Sequence, residues 1–158
     1  MIEPSSSSPF TRPNEPTPFG PPMIGALLRA PWQAVQSHML RRLHESGCAD
    51  FDAAHLPVFG YPGPQGARPS ELAARLGMSK QALNYLLGSL ERAGYIERRP
   101  HPDDARAKRI ALTPRGLGAG RVIRDAVAEV ETAWSELLGP ERFAELRTML
   151  EELVRLPT

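Results

Sequence analysis

Two short helical segments that are separated by only three residues constrain this chain more than any other feature. In residues 70–76 and again in residues 79–93, leucines and alanines recur at the spacing of one helix face. Ser70 and Ser79 stand where N-caps are expected, and Gly77 stands where the first helix must end. Two helices joined by Gly77-Met78-Ser79 cannot lie in line, so they must cross. The spacing therefore predicts a helix-turn-helix unit.

The second helix of this unit has two faces of different chemistry. One face is apolar and is predicted to be buried; it consists of Leu83, Leu86, Leu87, Leu90 and Ala93. The opposite face is polar and consists of Lys80, Gln81, Asn84, Tyr85, Gly88 and Arg92. Amide side chains can pair with an adenine edge, and lysine can reach guanine or phosphate. The free N–H groups at the helix start, near Ser79, favour a phosphate as well. This face therefore predicts contact with DNA.

The hydrophobic pattern changes its period after Gly94. Residues 95–100 and 108–113 alternate and contain β-branched or aromatic side chains, so they are predicted to be the strands of a hairpin. Residues 101–107 between them are polar, which predicts a long charged tip. Arg106 in this tip could enter a narrow minor groove, and Asp104 could orient its guanidinium group. The polar Ser70 and the basic Lys108 complete the set of predicted DNA contacts.

Further helices are predicted before the helix-turn-helix unit. The first runs from about Pro31, which suits a first turn, to Glu45. A short helix is predicted from an Asp52 cap to Phe59, although Pro57 interrupts its hydrogen bonding. Residues 1–22 contain seven prolines and four consecutive serines, so they are predicted to form a disordered or extended arm.

A helical region is also predicted after the hairpin. Thr113 and Pro114 begin a helix that continues to about Leu138, where Gly139-Pro140 breaks it. The last helix carries one apolar stripe, made of Phe143, Leu146, Leu150 and Leu153. A domain of this size cannot bury so much apolar surface in these helices alone. We therefore expect two copies of the chain to share it across a two-fold axis.

The charge of the chain is concentrated in its middle. Residues 68–116 contain ten Lys and Arg against five Asp and Glu, so this segment carries +5, whereas the whole chain carries only +1. The remaining residues therefore carry −4. A basic centre between acidic arms indicates that one module meets a polyanion.

Several classes of protein are disfavoured by what the sequence lacks. It shows no bilayer-spanning run and no secretory signal, so a cytoplasmic location is expected. The single cysteine and the absence of Cys/His clusters predict no metal and no other cofactor. Neither a phosphate-binding glycine loop nor a nucleophile motif is recognisable, so no enzyme activity is predicted.

At this point the sequence resembles a known family. Residues 69–116, and above all DDARAKRIALTPRG at 103–116, resemble the winged helix-turn-helix of the multiple-antibiotic-resistance regulator (MarR) family. The most specific features are the Asp-x-Arg of Asp104 and Arg106 and the strand that ends in Leu-Thr. The resemblance implies a mainly α fold with a small β-hairpin wing. It also implies a single MarR-like domain at 23–156, in which the winged unit spans about 52–116 and the dimerisation helices about 23–47 and 114–156.

The resemblance further implies a function. Members of this family are sequence-specific regulators of transcription, usually homodimeric repressors on near-palindromic double-stranded DNA. By this likeness the major groove would receive Ser79, Lys80, Gln81, Asn84 and Tyr85, while Arg106 would enter the minor groove with support from Asp104. Many members release DNA when a small aromatic or phenolic effector binds. The candidates for lining such a pocket here are Trp32, His38, His55 and Tyr61.

Two other functions remain open at this stage. The chain could be a winged-helix module that binds proteins and not DNA. It could instead sense oxidants through Cys48, although this residue follows the first long helix, whereas peroxide-sensing relatives carry their cysteine near the start of that helix. A small inert side chain is the simpler interpretation of Cys48. Metal binding by His38, His44, His55 and His101 is disfavoured, because none has a partner at a recognised ligand spacing.

Overall fold

A computed structural model describes residues 21–59, 66–101 and 104–156; of residues 101 and 104–107 it describes the backbone alone. The described chain is mainly helical with one two-stranded antiparallel hairpin, as the sequence predicts. Its elements, in order, are α1 (Ile24–Glu45), α2 (Leu56–Phe59), α3 (Pro69–Leu76), α4 (Lys80–Arg92), β1 (Ile96–His101), β2 (Asp104–Leu112), α5 (Pro114–Leu138) and α6 (Pro140–Val154).

The helix-turn-helix unit consists of α3 and α4. Gly77 ends α3 in the left-handed conformation, with φ of +60°, which glycine adopts without a Cβ penalty. Ser79 caps α4, because its Oγ accepts a hydrogen bond from the N–H of Ala82 at 3.1 Å. The prediction that Ser70 caps α3 is wrong. The helix begins at Pro69, and the Glu71 carboxylate accepts the N–H of the true N-cap residue, Arg68, at 3.3 Å.

The wing differs from its prediction in where the second strand begins. We expected residues 101–107 to form the tip, but β2 already starts at Asp104. Pro100 pairs with Lys108 and His101 pairs with Asp104, so residues 105–107 have no partner opposite them in β1. The polar composition of residues 104–107 suggested a turn, but a strand that bulges away from its neighbour can also contain polar residues. Ala67 and Ile110 exchange two backbone hydrogen bonds, of 3.0 and 2.8 Å, which joins the start of α3 to the wing.

The first two helices also begin elsewhere than predicted. α1 starts at Ile24 and includes Pro31, which was expected in its first turn. Pro31 is exposed, so the helix carbonyl that loses its N–H donor there can be hydrated. α2 begins only at Leu56, since Asp52 forms a local turn by accepting the N–H of Ala54 at 2.8 Å.

Tyr95 lies at the centre of the core, where it joins the helix-turn-helix unit to the rest of the domain. Its ring is fully buried and meets the rings of Phe51 and Phe59 edge to face, with centroids 5.2 and 6.1 Å away. A Cβ atom on Gly116 would lie 2.0 Å from the carbonyl oxygen of Tyr95. Glycine therefore allows the start of α5 to approach this residue closely.

The helices outside the winged unit leave apolar side chains uncovered. α5 packs against α1, and α6 packs against α5, but no residue of α6 is buried. The exposed apolar residues of α6 include Leu146, Met149, Leu150 and Leu153, and those of α1 include Ile24, Leu27, Leu28 and Trp32. None of the helices in the described ranges has both the length and the apolar character needed to cross a bilayer.

Candidate nucleic-acid interface

The polar face of α4, defined as Lys80, Gln81, Asn84, Tyr85, Gly88 and Arg92, points away from the core. Leu83, Leu87 and Leu90 on the opposite side are at most 1% exposed, so the orientation of the helix is fixed by burial. Lys80, Gln81 and Asn84 are exposed, and Tyr85 is 74% exposed. Amides and a phenol are thus available on a rigid helix for contact with another molecule.

A groove lies where α3, α4 and the wing meet. We call it the basic groove; it has a volume of about 340 Å³ and is lined by Arg68, Pro69, Ser70, Lys80, Leu83, Asn84 and Lys108. Four of the predicted DNA contacts, from three different elements, therefore surround one concave surface: Ser70, Lys80, Asn84 and Lys108. Ser79, Gln81 and Tyr85 do not line it, but they lie on or directly before the same helix.

The electrostatics of the basic groove favour an anion. Among the described residues, its lining includes three cations, Arg68, Lys80 and Lys108, and no acid. No ion-pair partner for any of the three occurs within the described part of the chain. The N-termini of α3 and α4 both border the groove, and the N–H groups of Ser70, Lys80 and Gln81 in their first turns lack intrahelical acceptors. Helix dipoles and unpaired cations act in the same direction here, so a phosphate is the ligand chemistry that this surface fits.

Arg68 is a groove residue that sequence reasoning missed. It immediately precedes the Pro-Ser start of α3, and its backbone caps that helix. The available signal was Pro69, since proline prefers the first helical position and therefore marks the preceding residue as the cap. A basic residue at that cap is held next to the helix N-terminus.

Two predicted wing contacts are only partly described. The backbones of Asp104 and Arg106 belong to β2, and Arg106 lies within the unpaired segment 105–107. Their side chains lie outside the described residues. The roles of Arg106 in a minor groove and of Asp104 as its support therefore stay predictions.

A cluster that we call the Tyr95 bracket joins the end of the helix-turn-helix unit to the start of α5. It consists of Asp50, Tyr95 and Arg115. The Tyr95 hydroxyl donates to Asp50 Oδ1 at 2.6 Å, and the Arg115 guanidinium donates to the same oxygen at 2.9 Å. Arg115 also lies over the Tyr95 ring, 4.3 Å from its centroid, a cation–π contact. The hydrogen bond from Tyr95 lowers the pKa of Asp50, and Arg115 lowers it further. Burial and the Asp50 contact raise the pKa of Tyr95.

The candidates for an effector pocket have separate environments. Trp32 is 53% exposed on α1. His38 bonds through Nε2 to Glu129 of α5 at 2.7 Å. His55 is buried, and its Nδ1 accepts the backbone N–H of Asp52 at 3.1 Å. Tyr61 lies outside the described residues. An effector pocket at these positions stays a prediction.

Cys48 has the surroundings of a structural residue. It is only 9% exposed and belongs to the core cluster. The hydroxyl of Ser46 points toward its sulfur at 3.9 Å. Reactive cysteines need solvent access and a stabilised thiolate, so this burial favours the inert interpretation over oxidant sensing.

Comparison with known proteins agrees with this geometry. The MarR family model matches residues 49–107, which includes α2, α3, α4 and β1. No curated protein sequence matches the chain significantly. A solved MarR family transcription regulator is 28% identical, with a TM-score of 0.65, and the match covers 84% of this chain and 83% of that one.

Two further solved structures share the fold. Wild-type MarR from E. coli has a TM-score of 0.67 at 24% identity, over 87% of this chain and 98% of that chain. The transcriptional repressor CouR, solved on a 23-mer DNA duplex, has a TM-score of 0.62 at 24% identity, over 84% and 93% of the two chains. The resemblance read from the sequence is therefore confirmed: residues 49–107 carry the MarR family pattern, and the described chain has the winged helix-turn-helix fold of MarR family transcription regulators.

Proposed function

We propose that this protein is a transcriptional repressor of the cytoplasm that binds double-stranded operator DNA as a homodimer. The observation that carries the proposal is the basic groove beside the polar face of α4. Three cations that have no ion-pair partner among the described residues, together with two helix N-termini, suit phosphates there. The exposed Gln81, Asn84 and Tyr85 next to them suit base edges in the major groove. Phosphate contacts set the position of the helix, and base contacts set the sequence.

The neighbour CouR supports the choice of partner, since it is a repressor with this fold solved on a DNA duplex. In our proposal α4 enters the major groove with its N-terminal turns, as recognition helices of this type do. The wing strand β2 brings Lys108 to the adjacent strand of DNA. Repression follows when the bound protein occupies a promoter.

The uncovered apolar surface supports the homodimer. In addition to the exposed side chains of α1 and α6, a depression of about 400 Å³ between α5 and α6 is lined by Trp134, Phe143, Leu146, Leu150 and neighbouring residues. Exposed apolar surface of this extent marks an interaction site, and a two-fold axis would cover it on both copies at once. A two-fold dimer predicts a near-palindromic operator with half-sites about 10 bp apart.

The experiment that tests the proposal is selection of bound duplexes from a random DNA pool by the wild-type protein. We expect a near-palindromic sequence with the predicted half-site spacing. Asn84→Ala should then weaken binding by about 1–3 kcal/mol and relax the preference at one base pair of each half-site. Arg142→Gln on α6 is a suitable comparison, since this exposed side chain lies outside the polar face of α4 and outside the basic groove.

A winged-helix module that binds proteins alone predicts a different result. In that case no duplex is enriched, and no binding to DNA occurs even at low salt, where counterion release favours any phosphate contact most strongly. This outcome would refute the repressor proposal.

A further inference from the structure

Gly88 is a glycine that the fold of α4 does not require. It lies in the interior of a 13-residue helix, where glycine is less favourable than any residue except proline. Its φ is not positive, and a Cβ atom built on it would meet no atom within 4 Å beyond the adjacent helix backbone. An alanine would therefore fit at this position without strain and would stabilise the helix. No contact among the described residues therefore accounts for the glycine.

The position of Gly88 relative to the interface suggests a reason for the glycine. Gln81, Tyr85 and Gly88 follow one another at helical spacing along the polar face of α4. At a rise of about 1.5 Å per residue, Gly88 lies roughly 10 Å beyond Gln81 along the helix axis. A major groove is about 12 Å wide, so a helix that places Gln81 over the bases meets the groove wall about two turns later. That wall is the sugar–phosphate backbone of one strand.

Arg92 is the next residue on the same face, one turn after Gly88. It is exposed, and no ion-pair partner for it occurs among the described residues. The neighbouring Glu91 is instead paired with Arg98, at 3.1 Å. Arg92 is thus an available cation beside a site where the missing side chain leaves the helix surface open.

We propose that a phosphodiester of one DNA strand packs directly against Gly88 and is held there by Arg92. This inference rests on the proposed function and adds a contact at the far edge of the interface, away from the basic groove. The glycine permits close approach, and the arginine supplies the charge. Helix stability is lowered at this position in exchange for contact with DNA.

The first test separates stability from binding by means of two glycine variants. Gly88→Ala is compared with Gly118→Ala in α5, where an added Cβ would meet only the end of the Arg121 side chain, at 3.9 Å. Thermal unfolding should show a Tm higher by about 2–4 °C for both variants. Affinity is measured for the duplex that the wild-type protein selects from a random pool. We expect the Kd of Gly88→Ala to rise about a hundredfold, roughly tenfold for the charge-assisted contact of each protomer, and that of Gly118→Ala to stay unchanged.

The second test asks whether the contact is to phosphate. Arg92→Gln should make the negative slope of log K against log salt concentration shallower by about 1.8. A dimer presents the side chain twice, and each phosphate contact contributes about 0.9 to the magnitude of the slope. Arg142→Gln, which removes an exposed charge from α6, should leave the slope as it is.

The outcomes distinguish this inference from the proposed function. If the wild-type protein selects no duplex, the repressor proposal fails, and this inference fails with it. If it selects a duplex but Gly88→Ala binds that duplex as tightly as wild type, only the contact at Gly88 is refuted. A lower Tm for Gly88→Ala would also refute it, because the fold itself would then require the glycine. An unchanged salt slope for Arg92→Gln would exclude Arg92 as the phosphate ligand.

Discussion

Neutralising the three cations of the basic groove should change how DNA binding depends on salt. Arg68, Lys80 and Lys108 each lack an ion-pair partner, so replacing any of them with glutamine breaks no salt bridge within the part of the chain that the structure describes. Each cation that neutralises one phosphate contributes about 0.9 to the slope of log K against log salt. A dimer uses each side chain twice, so a single variant should make this negative slope shallower by about 1.8 and the triple variant by about 5.4.

These slopes correspond to large differences in affinity. Between 50 and 200 mM salt the wild-type protein should lose about 12-fold more affinity than each single variant, which is a fourfold salt change raised to the power 1.8. Fluorescence anisotropy with the selected duplex, titrated at several salt concentrations, measures the slopes directly. Arg142→Gln on α6 provides the control, because it removes the same charge far along the chain from the groove.

The size of the change also reports the assembly. If the magnitude of the slope decreased by only about 0.9 in each single variant, one protomer alone would contact the DNA, which would contradict the two-fold dimer. Slopes equal to wild type in all three single variants and in the triple variant would show that the basic groove does not meet phosphates. The interpretation of the groove would then be wrong, whatever the affinity of the variants at low salt.

Three further results are expected. Ser79→Ala should lower the free energy of unfolding by about 1 kcal/mol in urea titrations, whereas Ser70→Ala, which removes no cap, should leave it nearly unchanged; equal losses would contradict the helix starts described here. The pKa of Asp50 is lowered from 3.8 in the folded state, so its contribution to stability is present above about pH 4 and is lost as the pH falls through the folded pKa. Asp50→Asn should therefore weaken the dependence of the free energy of unfolding on pH at acidic pH. An unchanged dependence would show that the Tyr95 bracket does not cause it. Leu150→Lys should shift the protein from dimer to monomer in analytical ultracentrifugation; a dimer of unchanged affinity would place the interface elsewhere.

Local chemistry accounts for the parts of the fold that could be predicted from the sequence. Ser79, Thr113 and Gly139-Pro140 mark helix ends where the structure has them, because caps and breakers act within a few residues of their own position. The error at the start of α3 arose because two local signals compete there. Ser70 is a good cap, but Pro69 before it is an equally good first residue, and the structure follows the proline.

The interface was only half predictable for a different reason. The polar face of α4 follows from helical periodicity alone, so Gln81, Asn84 and Tyr85 could be identified in advance. The basic groove depends on tertiary contacts that bring the start of α3 and the strand β2 to α4, and no sequence spacing encodes them. The Tyr95 bracket joins residues 45 and 65 positions apart, so only the folded chain brings them together.

The Tyr95 bracket connects the chemistry of the interface with the geometry of a dimer. Tyr95 follows α4 after Ala93 and Gly94, and its ring is packed on Phe51 and Phe59 while Arg115 at the start of α5 covers it. The orientation of α4 is therefore fixed relative to α5, the helix on which α6 packs. In a two-fold dimer the distance between the two copies of α4 would be set through this connection. Base preference would then depend on the side chains of α4, whereas half-site spacing would depend on a cluster that touches no DNA, so substitutions in the two places should alter different properties of the same operator.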